Sequence, residues 1–195
     1  QLAGFTSITE LDLRYQGLVS FPDSLCALTG LKKLNLFYNK IAALPDAIRG
    51  LKELTDLHVG ENQLTALPDT LGFLTGLTEL IADSNKLTVL PDSIAALALM
   101  KTLDLSGNKF TTFPNPIVKL TSLTTLNLEG NQLVTLPDSM AALTALNKLN
   151  LGDNDFTTLP KPIIKLKSLM ELELRGNQLV TLPDSMAALT ALTDL

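Results

Sequence analysis

The stretch GNQLVTLPDSMAALTAL occupies residues 130–146 and recurs, letter for letter, at residues 176–192, 46 positions later. Half of that offset is the period of the whole chain. A stride of 23 from Leu31 meets Leu54, Leu77, Met100, Leu123, Leu146, Leu169 and Leu192, with Ile8 one step before. The same stride joins Asn39, Asn62, Asn85, Asn108, Asn131, Asn154 and Asn177, and likewise Pro45, Pro68, Pro91, Pro114, Pro137, Pro160 and Pro183. No insertion breaks the register. The duplicated segment is thus a two-unit offset, and its surroundings extend the likeness: FTTFPNPIVKLTSL at 110–123 parallels FTTLPKPIIKLKSL at 156–169. A block of two units has been copied, which a repeating fold tolerates because each unit touches only its neighbours.

Each position of the unit has a physical reading. In stretches such as Leu34-Asn35-Leu36, alternation puts both leucines on one face and the residue between them on the other. This predicts a short strand, and successive copies must pair in parallel because each is one coil of the same winding. The Asn at the ninth position sits where the chain leaves the strand, and its amide offers two donors and an acceptor to turn backbone. The Leu-Pro that follows stops any helix from running back into the turn. Asp23, Asp46, Asp69, Asp92, Asp138 and Asp184 stand just ahead of apolar runs such as IAAL and MAAL. A carboxylate there suits the start of a short helical turn. A lone unit cannot bury enough to offset its ordering entropy, so stacking is obligatory.

The unit LxxLxLxxNxLxxLPxxIxxLxx resembles the leucine-rich repeat, and the resemblance covers nearly the whole chain. It implies an α/β solenoid, or horseshoe, with a parallel concave β-sheet and short helical or 3-10 segments on the convex side. The expected organisation is a single array over 1–195, with eight full units from Ile8 to Ala191 and partial units at both ends. Leu2 and Phe5 take the places of Leu25 and Leu28, and Leu192 and Leu195 open a ninth unit. Without polar caps the chain reads as a fragment of a longer protein, its ends suited to contact with missing segments or another chain. The 23-residue LPxxIxxL form is similar to the intracellular repeats of scribble- and erbin-like scaffolds, plant Ras-group-related repeat proteins and bacterial repeat proteins. That resemblance implies a protein-binding module.

Composition narrows the function further. A net charge of −5 argues against nucleic acid, which needs clustered Lys and Arg. The longest apolar run, IAALALM at 94–100, is too short to span a bilayer, so no membrane role is expected. Cys26 is the only cysteine and no Asn-x-Ser/Thr sequon occurs, which points to an intracellular, cytoplasmic setting. His58 is the only histidine, no phosphate-binding glycine motif is present, and no base stands beside a Ser or Cys. No catalysis, no metal and no cofactor are therefore expected.

What remains is the outward face of the strands, namely the third, fifth, seventh and eighth positions of each unit. Aromatic and apolar residues gather there at the N-terminal end: Tyr15, Phe37, Tyr38, His58 and Ile81. Asp56, Glu61, Glu79 and Asp83 run beside them. Exposed aromatics ringed by polar groups have the anatomy of an interaction hot spot. These nine residues are the expected contact for a protein or peptide partner, one carrying a basic patch. The alternative is a structural, adhesive or ice-binding surface built on Thr/Val ladders such as Thr111, Val134, Thr157 and Val180, with Thr112, Thr135, Thr158 and Thr181 alongside.

Overall fold

The computed structural model describes residues 7–195. Leu2 and Phe5, expected as the tail of a preceding coil, lie outside the described residues. Eight three-residue strands, β1 (Glu10–Asp12), β2 (Lys33–Asn35), β3 (Asp56–His58), β4 (Glu79–Ile81), β5 (Thr102–Asp104), β6 (Thr125–Asn127), β7 (Lys148–Asn150) and β8 (Glu171–Glu173), form one parallel sheet in sequence order. Registers advance by one full unit, so Leu11, Leu34, Leu57 and Leu80 stand opposite one another on the core side. Past β8 the backbone adds one parallel bridge, Glu171 to Asp194.

The helical layer is shorter than an α-helix. Each coil carries a five-residue 3-10 helix, from Asp23–Ala27 to Asp184–Ala188, on the side away from the sheet. The aspartates stand at the helix starts, as expected, but without capping them. Proline fills the capping position, the aspartate is the first helical residue, and no side-chain cap hydrogen bond forms. The carboxylate then acts only through charge at the helix start, which solvent weakens. Between sheet and helices the leucines of every coil merge into one continuous core.

The asparagines tie coil to coil. Asn62 Nδ2 donates to the carbonyls of Leu36, Val59 and Gly60 at 2.9, 3.1 and 3.0 Å, and its Oδ1 accepts from the Ile41 N–H at 3.0 Å. Asn85 and Asn108 repeat the pattern one and two coils later. Each side chain thus closes its own turn and satisfies backbone of the preceding coil, which the turn geometry leaves without strand partners.

The turn after each strand enters the left-handed region at the eighth position. Tyr15, Tyr38, Glu61, Ser84 and Asp153 have φ of 58, 56, 50, 50 and 49°, where other coils use Gly107, Gly130 and Gly176. A side chain in this conformation costs on the order of 1–2 kcal/mol relative to glycine. The two tyrosines are therefore held in place by the winding around them.

Candidate functional site

The third and fifth positions project from the sheet, and the seventh and eighth extend that face along the turn. At the N-terminal end the winding brings Tyr15, Phe37 and Tyr38 into one cluster. Tyr15 meets Phe37 edge to face with ring centroids 5.9 Å apart, Tyr15 and Tyr38 are 5.0 Å apart, and Phe37 and Tyr38 are 6.2 Å apart. Such pairs add about 0.5–1.5 kcal/mol each beyond their buried area. Yet Tyr15 and Tyr38 keep 63% and 56% of their surface exposed. The Phe37 N–H is fixed by Asn35 Oδ1 at 3.0 Å, which orients the half-buried ring.

The next two strands hold His58 and Ile81 side by side in register, both half-buried. His58 Nε2 lies 2.5 Å from Glu79 Oε1. Glu79 is therefore engaged within the chain, a pairing invisible in the order of residues. Asp56 is likewise occupied, accepting the Thr55 hydroxyl at 2.5 Å. His58, Asp56 and Glu79 line a hollow of about 340 Å³ with Glu10, Lys33 and Asn35. Lys33 stands 3.8 Å from Glu10 across it.

Glu61 and Asp83 differ from those carboxylates. Glu61 is exposed, Asp83 is half-buried, and neither forms an ion pair among the described residues. Burial pushes the Asp83 carboxyl above its ordinary value of 3.8, against a hydrogen bond from Ser84, and the charges of Asp104 and Glu61 push it further. The native state thus holds this proton more tightly than the unfolded chain. Stability falls as pH rises from the unfolded value through the folded one, and the full penalty is present above both. Asp83→Asn is expected to stabilise the chain at about pH 7 and to lose that advantage below about pH 4. Solvent screening at this half-exposed group keeps the gain to about 0.5 kcal/mol. Urea titrations of both proteins at the two pH values measure it, and an equal gain at both would exclude the carboxyl's titration as the cause.

Gly60 is the residue that side-chain reasoning passed over. It sits at the seventh position between Phe37 and Asp83, and a Cβ there would stand 3.2 Å from the Phe37 ring and inside the Asp83 carboxylate. Its N–H, like that of Asp83 after Ile81, lacks the bond that other coils give this position. Asn35, Asp104, Asn127 and Asn150, at the fifth position, accept the N–H two residues on. His58 occupies that place before Gly60, and the buried Gly60 N–H meets no acceptor among the described residues. A glycine in a column of side chains was the available signal.

Elsewhere the chemistry is sparse. Among the described residues no group of three or more His, Cys, Asp or Glu could hold a metal ion, and no helix is long and apolar enough to cross a membrane. Cys26 is half-buried on a 3-10 helix, its thiol pushed up by burial and by the charge of Asp23. The Thr/Val ladder is exposed, and at its C-terminal end it borders a hollow of about 540 Å³ with Pro160, Pro162 and Ile164.

Known proteins share this architecture. The leucine rich repeat family model matches residues 6–64, 75–133 and 144–195, more than half of the chain. A leucine-rich repeat protein of Leptospira interrogans is 30% identical with a TM-score of 0.68, the match covering 100% of this chain and 67% of that one. An internalin, InlF, from Listeria monocytogenes is 29% identical with a TM-score of 0.88, over 100% of this chain and 56% of its own. The plant peptide hormone receptor RGFR1, solved in complex with RGF2, is 29% identical with a TM-score of 0.78, over 97% of this chain and 36% of its own. This chain therefore spans only part of each of those structures. No curated protein matches it. On the repeat pattern, the coil-by-coil hydrogen bonding and the family match, the chain belongs to the leucine-rich repeat family.

Proposed function

We propose that the chain is a non-catalytic binding module whose concave sheet face takes a protein or peptide partner at its N-terminal end. The observation that carries this reading is the cluster of Tyr15, Phe37 and Tyr38. Three mutually packed aromatics stand on the concave face, and the two that stay exposed, Tyr15 and Tyr38, are in a backbone conformation that disfavours any side chain. Selection for stability alone favours glycine there, as in Gly107, Gly130 and Gly176. Rigid aromatics lose little entropy on binding and bury large area, which is how interface anchors work. The peptide-bound plant receptor is a structural neighbour consistent with a peptide partner.

His58 and Ile81 extend the surface, with Asp56, Glu61, Glu79 and Asp83 at its border. Of these acids Asp56, Glu61 and Asp83 form no ion pair among the described residues, so they favour a partner bearing positive charge. A single half-buried cysteine leaves the fold independent of disulfides, which fits an intracellular, cytoplasmic scaffold. The Thr/Val ladder supports a flat water-ordering surface less well, because Ala42, Ala43 and Ala66 interrupt it and a hollow borders it.

The test is a partner identified by crosslinking and mass spectrometry in source lysate, then titrated against variants. The Phe37→Ala, Tyr38→Ala double variant is expected to weaken binding by about 2 kcal/mol or more, with folding largely preserved. Unchanged affinity would remove the aromatic cluster from the interface.

A further inference from the structure

We infer that the hollow on the flank of coils six to eight receives an extended segment of a partner protein, one carrying an apolar side chain and a carboxylate within three residues of it. This goes beyond the concave-face reading and concerns a different surface. The hollow has a volume of about 540 Å³, inside the range of about 300–1,000 Å³ usual for ligand sites. It lies between the Thr/Val ladder and the 3-10 helices, and none of its lining residues belongs to a strand. Its apolar lining includes the buried Leu136, Leu159, Pro160 and Pro162, with Ile164 half-buried beside them. Lys161, Thr158 and Thr181 stand exposed around these. The lining crosses three coils, roughly 10 Å at the spacing of neighbouring strands, which is the reach of about three extended residues.

The two copies of the duplicated block diverge at this place. Residues 110–123 and 156–169 differ at four positions, and three of the four line the hollow: Leu159 for Phe113, Lys161 for Asn115 and Ile164 for Val118. The fourth is Lys167 for Thr121. The first exchange takes a ring out of the apolar lining, and two of the four add a lysine to a chain of net charge −5. In its column Lys161 stands between Asp138 and Asp184, which open the helices of coils six and eight. It forms an ion pair with neither, whereas Lys167 donates to the Ala188 carbonyl at 2.8 Å. An apolar lining favours an apolar side chain, and an exposed ammonium beside it favours a carboxylate. A cationic segment would meet Lys161, and Lys165 on the same helix, and is disfavoured. Asp138 also lines the hollow and repels a carboxylate from coil six, which directs the segment's acid towards coil seven. The threonine hydroxyls are free to donate to or accept from the segment's main chain.

The chain itself supplies the variant for the test. Leu159→Phe, Lys161→Asn and Ile164→Val together restore the residues that the fold already hosts 46 positions earlier, so folding is expected to hold, and a urea titration checks it. Random peptides displayed on phage are selected on the immobilised chain, and the binders are titrated against the parent and the triple variant. One class of binders is expected to carry an apolar residue with Asp or Glu within three positions and to bind the triple variant about tenfold more weakly. Exchanging that acid for its amide is expected to weaken binding about threefold to the parent and not at all to Lys161→Asn alone. The single variant changes only an exposed side chain, so it decides the matter even where the triple variant fails to fold. Binders that discriminate against the triple variant without an acid, or with the amide at full affinity, would overturn the inferred carboxylate. A selection in which no peptide discriminates, or none is recovered, would overturn the hollow as a docking site and leave the concave-face reading to its own titration. Discriminating binders that are lost on the Phe37→Ala, Tyr38→Ala variant would place the peptide on the concave face, overturning this inference and supporting that reading.

Discussion

Asn108→Ala is expected to lower the unfolding free energy by about 3 kcal/mol, a loss that urea denaturation would measure. The side chain is 5% exposed and makes four hydrogen bonds. Its Nδ2 donates to the carbonyls of Ala82 and Leu105 at 3.0 Å each and of Ser106 at 3.2 Å. Its Oδ1 accepts the Leu87 N–H at 2.9 Å. Alanine supplies none of these, and each buried backbone group left without a partner costs roughly 1–3 kcal/mol. The Leu87 N–H weighs most, since a buried donor has one bond to make, whereas the carbonyls keep a second lone pair for partial compensation. Leu87 belongs to the preceding coil, so the loss loosens the junction between two coils as well as one turn. At the C-terminal end, half-buried Asn177 makes the same set of bonds with solvent nearby, and its alanine variant should cost about 1 kcal/mol. A loss below about 0.5 kcal/mol at Asn108 would contradict the buried-ladder account.

The fold was legible because a solenoid turns long-range contacts into a fixed sequence offset. Leu34 pairs with Leu57 and Asn62 reaches Leu36 because the winding returns every 23 residues, and the period is visible in the letters. The candidate site was legible only in part. Which residues face outward follows from alternation, so Tyr15, Phe37, Tyr38, His58 and Ile81 could be assigned to one surface. Their mutual arrangement depends on rotamers, which alternation does not determine. The His58–Glu79 pair and the fold of the Asp83 carboxylate over Gly60 belong to that class. So does the backbone at Tyr15 and Tyr38. Nothing in tyrosine signals a left-handed turn, and only the glycines at 107, 130 and 176 in the same column hint at one. The aspartates marked the helix starts correctly, and the proline ahead of each takes the capping position itself.

Phe110→Ala lowers stability by about 4 kcal/mol, the largest single effect expected in the chain. Phe110 has no exposed surface and is one of the two largest fully buried side chains, Phe156 being the other. Both stand where Ile41, Leu64, Leu87 and Leu133 stand in other coils, so truncation empties a volume that rigid leucine layers on either side cannot refill. Phe156 occupies the corresponding place in the copied block, and Phe156→Ala should therefore cost a similar amount, within about 1 kcal/mol. Phe37 is the informative contrast. It is the same residue type, but its ring lies half-buried on the sheet face against Tyr15 and Tyr38 and touches no part of the core. Removing it gives up edge-to-face contacts without opening a cavity, so Phe37→Ala should cost no more than about 1 kcal/mol. Denaturant titration of the three variants separates the two roles. If Phe37→Ala destabilises as much as Phe110→Ala, the aromatic cluster is packing that holds the N-terminal coils together, and its place in partner binding is lost. If the costs diverge as expected, the chain keeps an aromatic cluster, two of its rings exposed, that its stability does not require, and binding is the remaining physical reason to hold it there.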